Sequence, residues 1–212
     1  MKNILIIGTG GLAREFSSYF SDYFEDFNVV SFSSTNHTEH SDFNLPGKLF
    51  IGEITPDIVG TTDVVIAIAN PSVKKRIAIK LKKLGFTFPA IIHRSSVVSD
   101  RAFIQDGVVI SPNCVVSPNV ILNEFSYLNF GVGVGHDAII GKYVQINPGS
   151  QLGGFTQIGD ESLVGSGSTI LQGVKVGTKA TIASGSVVFS EVSEGATMLG
   201  NPAKRMRAFE KE

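Results

Sequence analysis

An aliphatic residue recurs at every sixth position through the second half of this chain without a gap, from Val98, Ile104, Ile110 and Val116 to Val176, Ile182 and Val188. Four residues after each stands a compact side chain, among them Ala102, Cys114, Ser126, Ala138, Ser150, Thr156, Ser168 and Ser186. An antiparallel β-domain alternates with period two and spaces its strands irregularly, so it does not produce this pattern. A six-residue unit with one aliphatic and one small inward position marks a parallel β-helix, in which each unit makes one flat face and one corner and three units close a triangular coil. Stacked positions then lie eighteen residues apart, and the repeat amounts to about five coils. Glycine and asparagine are expected at the corners, where the backbone turns left-handed. Gly135, Gly141, Gly153, Gly159, Gly165 and Gly177 each directly follow an inward aliphatic.

The first half reads differently. Asn3 to Ile7 is an apolar run that ends in Gly8-Thr9-Gly10-Gly11, and Leu12, Phe16, Tyr19, Phe20 and Tyr23 then fall at helical spacing over Leu12 to Phe24. Phe27 to Phe32 reads as a second strand, Thr35 to Gly47 as a polar loop too poor in apolar residues to pack, and Asp63 to Ala69 as a buried strand. Pro71 opens a helix that turns Val73, Ile77, Leu81 and Leu84 inward, carries Lys74, Lys75, Arg76, Lys80, Lys82 and Lys83 mostly outside, and closes at Gly85. Those basic residues make a solvated face, with an anion contact as the lesser alternative. The whole is a short α/β domain joined to the repeat near Phe88-Pro89.

Eighteen Lys and Arg stand against nineteen Asp and Glu, which leaves no basic excess to neutralise a nucleic-acid backbone or an anionic membrane. A single cysteine, Cys114, makes neither an internal disulfide nor a thiolate cluster, so a reducing cytoplasm is expected, and its inward position makes it a buried hydrophobe. The apolar run at the start is shorter than the roughly seven residues of a signal-peptide core or the about twenty of a spanning helix. Export and membrane insertion are not expected.

Gly8-x-Gly10-x-x-Ala13 between strand and helix matches the turn that brings backbone N–H groups against a phosphate. The second strand ends Ser31-Phe32-Ser33-Ser34, with no acid for a dinucleotide ribose, so NAD or FAD use is not expected. A structural turn and a site for a phosphorylated or nucleotide-linked ligand both stay open. His136 lies two residues past Val134, on an outward position with no packing duty, and Asp137 beside it can hold it as a general base. A lone surface histidine without function is the alternative. One coil later stands Gly154, whose bare N–H is placed to meet a developing oxyanion. His37 and His40 fall in the polar loop and His93 reads as a cap of the first coil, so the chain supplies no three-histidine metal site and no metal is expected.

Five pieces in order, Ile6-Ile7-Gly8-Thr9-Gly10-Gly11-Leu12-Ala13-Arg14-Glu15, Ala67-Ile68-Ala69-Asn70, Ile92-His93-Arg94-Ser95, Gly135-His136-Asp137 and Gly200-Asn201-Pro202-Ala203-Lys204-Arg205-Met206, resemble the NeuD/PglD-type family of bacterial sugar O- and N-acetyltransferases. The resemblance covers nearly the whole chain. It implies a Rossmann-like acceptor domain over 1–89, a left-handed β-helix over 90–195 that binds acetyl-coenzyme A, and a tail over 196–212 that closes over the coenzyme. It further implies a homotrimer with acetyl-coenzyme A in the groove between neighbouring β-helices and the acceptor reaching in from the N-terminal domain. On this resemblance His136 is the base, Asp137 its acidic partner and Gly154 N–H the oxyanion donor. Asn129 matches a position beside the acceptor, and Gly8, Gly10, Gly11 and Asn70 lie in the pieces that hold it. Gln145, Gly154, Ser166, Ser184 and Gly185 match cofactor contacts, while Pro202, Lys204 and Arg205 look like the tail that closes over the coenzyme, where Lys and Arg suit its phosphates. Relatives acting on nucleotide sugars often carry a histidine where this chain has Leu12, acids where it has Ser33 and Ser34, and a histidine where it has Gln145.

The expected activity is acetylation of the amine of a nucleotide-linked amino sugar, or of a sugar hydroxyl, for surface polysaccharide synthesis. The alternatives are O-acetylation of a free sialic acid or a serine-like acceptor, and a non-enzymatic trimeric binding module.

Overall fold

The computed structural model describes residues 2–23, 27–36 and 38–206. Contacts divide the chain into two compact units, Met1–Pro89 and Ala90–Glu212.

In the first unit, β1 (Lys2–Ile7), α1 (Gly11–Tyr23), β2 (Phe27–Ser33), α2 (Glu39–Asp42), β3 (Lys48–Phe50), α3 (Pro56–Val59), β4 (Val64–Ile66) and α4 (Pro71–Lys83) follow in order. Four parallel strands lie in the order β3-β2-β1-β4. The central β1 is buried from Ile4 onward, which is why it reads as an uninterrupted apolar run. Helix α1 buries Ala13, Phe16, Ser17 and Phe20, a stripe at helical spacing. Phe24, expected at its end, and His37 lie outside the described residues. The strand β3 and the turn α3 carry too few apolar residues to announce themselves. Thr55 caps α3 by accepting from the Ile58 N–H, and Gly60 closes it at φ 76°.

Two expectations for this unit are corrected. Lys74 is not on the solvated side of α4: it is 3% exposed and belongs to the stripe Pro71, Lys74, Ala78, Leu81 that the helix buries. Burial pulls its ammonium down to about 7. Leu84, expected inside, is 37% exposed, because Ile77 and Leu84 look onto a cavity rather than into packed core. The polar segment Thr35–Gly47, for its part, holds α2, which buries nothing but is tied down by its polar and aromatic groups. Thr9 Oγ1 donates to Glu39 Oε2 at 2.7 Å, the Arg14 guanidinium sits 3.8 Å above the Phe43 ring, and His40 meets Phe32 edge-on at 5.5 Å.

The second unit is the left-handed parallel β-helix. Its two-residue strands form three walls. The first wall begins at Ile91–Ile92 and passes through Tyr127–Leu128, Gln145–Ile146 and Leu163–Val164. The second runs from Val97–Val98 through Gly133–Val134 and Gln151–Leu152 to Val187–Val188, and the third from Phe103–Ile104 to Lys175–Val176. From Ile91 to Val188 the paired strands run parallel with a step of eighteen, as in Gly133 with Gln151 and Ile121 with Ile139. Both expected inward rows form the core: Ile110, Leu122, Leu128, Ile140, Ile146, Val164, Ile170 and Ile182 are wholly buried, with Cys114, Ala138, Ser150, Ser168 and Ser186 among the small positions. Three of the inward serines return their hydroxyl to a carbonyl of the next coil, Ser150 to Gly165 at 2.9 Å, Ser162 to Gly177 at 2.8 Å and Ser168 to Ala183 at 3.0 Å.

The corner glycines divide into two kinds. Left-handed residues fall three positions after the inward aliphatic, at Gly131, Gly149, Gly167 and Gly185 but also at Asn119, Asp137, Tyr143 and Phe155. The six glycines directly after an aliphatic are not left-handed. They are required by contact: a Cβ on Gly135 would stand 2.5 Å from Gly154 N, and one on Gly165 would stand 2.5 Å from Ser184 N. The bare Cα lets successive coils close.

The C-terminal segment continues the first wall. Thr197–Leu199 pairs with Thr181–Ile182, and Lys204–Arg205 turns back antiparallel onto it after a cis Asn201–Pro202 bond.

Candidate active site

At the end of the second wall the chain turns a corner through Gly135-His136-Asp137. Asp137 takes φ 60°, a conformation that Asp adopts more readily than most residues. With its backbone turned this way, Oδ2 lies 2.8 Å from His136 Nδ1, on an imidazole half exposed to solvent. The other carboxylate oxygen accepts from Asn119 Nδ2 at 3.0 Å, one coil earlier. The hydrogen bonds from His136 and then Asn119 hold the Asp137 carboxyl below its ordinary range. A carboxylate on Nδ1 keeps the proton there and leaves Nε2 as the basic nitrogen.

The eighteen-residue step sets Gly154 under the ring. A Cβ there would stand 2.8 Å from both Cε1 and Nε2 of His136, so only glycine leaves the imidazole its seat. Phe155 closes the far side, its ring perpendicular to the imidazole at 5.1 Å, and its N–H donates to the His136 carbonyl at 2.8 Å. Histidine, carboxylate and glycine are thus brought together at one corner by coil stacking alone.

The other expected positions lie on the first wall and the corner that follows it. Asn129 is 9% exposed and turns Oδ1 back to the Phe130 N–H at 2.8 Å. Gln145 is 1% exposed and donates to Asn147 Oδ1 at 3.1 Å. Ser166, Ser184 and Gly185 are exposed at that corner in successive coils, Gly185 N–H donating to the Ser166 carbonyl. Pro202, Lys204 and Arg205 are exposed on the segment that ends the same wall. Within one chain this group and the His136 corner sit at different corners of the triangle, separated by the second wall. Cys114 is buried, its thiol raised by burial and 3.1 Å from the Asn129 carbonyl. His93 is buried too; Nδ1 accepts from the Ser95 N–H, and burial followed by the Arg94 charge lowers its pKa.

In the α/β unit the Gly8 N–H, at φ 113°, is used by the Ser33 carbonyl at 2.8 Å, while the Gly10 carbonyl accepts from Arg14 to start α1. Gly11 is the first residue of α1 and is exposed. Asn70 caps α4 by accepting from the Val73 N–H. A cavity of about 390 Å³ opens at the carboxyl ends of β1 and β2, lined by Gly8, Ser33, Ser34 and Glu53 on the polar side and by Ile77 and Leu81 of α4 and Leu84 at its C-cap on the other, with Lys80 at the helix edge. The sequence did not reveal Glu53 or Lys80 as lining residues, because no periodicity ties the loop after β3 to α4. It did contain the signal for Asn119 and Phe155, which lie eighteen residues either side of Asp137. Among the described residues no group of three or more His, Cys, Asp or Glu is placed to hold a metal ion, and no helix is long and apolar enough to cross a membrane.

Fold and corner geometry define the class, a hexapeptide-repeat β-helix protein with an N-terminal α/β domain. Residues 3–81 match the PglD N-terminal domain and residues 156–190 the hexapeptide repeat of succinyl-transferase. In both of these segments the chain resembles the PglD/NeuD-type sugar acetyltransferases. Among solved structures it is similar to a mutant of perosamine N-acetyltransferase from Caulobacter crescentus in complex with CoA and GDP-perosamine, at 21% identity over 98% of both chains with a TM-score of 0.88. The acetyltransferase domain of PglB from Neisseria gonorrhoeae, in complex with acetyl coenzyme A, is 24% identical over 97% of this chain and 99% of its own, with a TM-score of 0.74. WeeI from Acinetobacter baumannii is 25% identical over 97% and 100%, with a TM-score of 0.76. No curated protein sequence matches this chain.

Proposed function

We propose that this chain is an acetyl-coenzyme A dependent sugar acetyltransferase in which His136 is the general base. The observation that carries the reading is the His136 imidazole, half exposed, bound through Nδ1 to Asp137 and seated on Gly154. In this reading Nε2 takes the proton of an acceptor amine or hydroxyl as its lone pair attacks the acetyl thioester. The Gly154 N–H donates to the oxyanion of the tetrahedral intermediate. Collapse of that intermediate breaks the carbon–sulfur bond, and the departing thiolate recovers the proton from His136, giving acetylated acceptor and coenzyme A. Exposed Ser166, Ser184 and Gly185 line the coenzyme's path. Lys204 and Arg205 are exposed cations at the end of the first wall and suit its phosphates.

The separation of the His136 corner from the Ser166–Ser184 corner within one chain supports a homotrimer, since a neighbouring copy supplies what a single coil places on another corner. The cavity at the ends of β1 and β2 suits the nucleotide of a nucleotide-linked sugar, with apolar α4 side chains for the base and the Ser33 and Ser34 hydroxyls in place of acids. Surface polysaccharide synthesis in the cytoplasm is the setting this chemistry fits. Thiol release from acetyl-coenzyme A, measured with a panel of nucleotide-linked amino sugars, free sugars, sialic acid and serine, tests the reading. Turnover with a nucleotide-linked amino sugar supports it, and silence across all the sugars contradicts it.

A further inference from the structure

Asp137 does not hold His136 unaided. Its carboxylate is gripped from both ends, by His136 Nδ1 on Oδ2 and by the Asn119 amide on Oδ1 at 3.0 Å. Asn119 belongs to the preceding coil and the same corner column, which runs Arg101, Asn119, Asp137, Phe155, one residue per rung. Its backbone is itself pinned there, the N–H donating to the Arg101 carbonyl at 3.2 Å, as the Asp137 N–H donates to Pro118 at 3.1 Å. A carboxylate one-third exposed on a surface corner has several rotamers open to it and keeps one only when both oxygens are engaged. Without the amide, nothing in the described structure fixes the oxygen that faces away from the ring. The Arg101 side chain starts two rungs, or about 10 Å, from Asp137, and the groups that face the pair from the next coil, Gly154 and Phe155, carry no charge.

We infer that Asn119 is a positioning residue for the transfer reaction: its amide fixes the Asp137 rotamer, and through it the proton on His136 Nδ1 and the ring over Gly154. The inference rests on the reading of His136 as the base. Asn119 also takes φ 62°, so the competing explanation is that asparagine stands there only because it tolerates a left-handed backbone. Asn119→Gly keeps that backbone and removes the side chain, while Asn119→Asp keeps backbone and shape but has no proton to donate.

Both variants are expected to keep the thermal midpoint of the wild type to within a few degrees. Their kcat is expected to fall roughly tenfold, with the KM for acetyl-coenzyme A changed less than about twofold. Nitrogen-15 NMR of the His136 ring at pH 9 then shows the Nδ1–H form in the wild type and a mixture of tautomers in both variants. Unchanged turnover in both overturns the inference, and so does a loss of turnover with an unchanged tautomer, which places the defect elsewhere. The ring measurement also separates this inference from the reading beneath it. Full activity in His136→Ala removes the base assignment, whereas the tautomer in Asn119→Gly reports the Asn119–Asp137–His136 chain whatever the enzyme does.

Discussion

The His136 corner is built of residues whose identities are set by what the next coil needs. Gly154 is the clearest case, since its missing Cβ is the space that Cε1 and Nε2 of His136 occupy at 2.8 Å. The atom it would crowd is the tip of a rotatable side chain, so Gly154→Ala is expected to leave the coil folded and push the imidazole aside. Turnover then drops at least tenfold, a misplacement effect, while circular dichroism and thermal midpoint stay near wild type. Gly135 is the contrasting case. Its Cβ would meet Gly154 N at 2.5 Å and the Gly153 carbonyl carbon at 2.7 Å, both backbone, and neither is free to move without parting two coils. Gly135→Ala is therefore expected to destabilise by about 1–3 kcal/mol, the usual range for overpacking, read as a lowered midpoint in thermal or denaturant unfolding. His136, Asp137 and Gly154 were legible in the sequence because a repeat of eighteen converts separation into adjacency. Asn119 obeys the same arithmetic in the other direction.

Among the elements, α4 departs most from its sequence pattern. Periodicity alone assigns Lys74 to solvent with the other basic residues, yet the helix rotates so that Lys74 is buried and Ile77 and Leu84 face a cavity. An apolar face turned to a binding cavity and one turned to core give the same letters, so sequence does not separate them. The buried lysine has a measurable signature. Its folded pKa, about 7, lies below the ordinary lysine value of 10.5, so between these values the unfolded chain binds the additional proton and stability rises with pH. Below about 7 both states are charged and the penalty is at its full size, a few kcal/mol at most; above about 10.5 it vanishes. Lys74→Met, which keeps the stem and removes the charge, is expected to raise the midpoint at pH 6–7 and to lose that advantage as pH approaches 10.5. A pH-independent difference between the two proteins would contradict this. The loop Thr35–Gly47 was illegible for another reason: Thr9–Glu39, Arg14–Phe43 and Phe32–His40 join residues with no spacing rule between them.

At the scale of the whole molecule the β-helix sets the proposed base and the proposed coenzyme path on two different corners of one short chain. Its walls are ladders of short strands around a core of buried aliphatics, and His136, Ser166 and Ser184 stand exposed at the corners. The fold was readable because an unbroken period of six has one structural solution. The α/β cavity was not, because its lining residues Gly8, Ser33, Glu53 and Lys80 come from four separate segments. Acetyl-coenzyme A at one hundred times its dissociation constant is expected to stabilise the protein by about 2.7 kcal/mol. Replacing Lys204 and Arg205 together by Ala should weaken that effect and flatten its dependence on salt. A binding module with no affinity for the coenzyme shows no such shift. The central claim, that His136 is the base of an acetyl transfer, is tested most directly by thiol release from acetyl-coenzyme A with wild type and His136→Ala side by side, each checked for the same oligomeric state and thermal midpoint. The account predicts acceptor-dependent turnover that falls by at least a hundredfold in the variant, and equal turnover in the two proteins would contradict it.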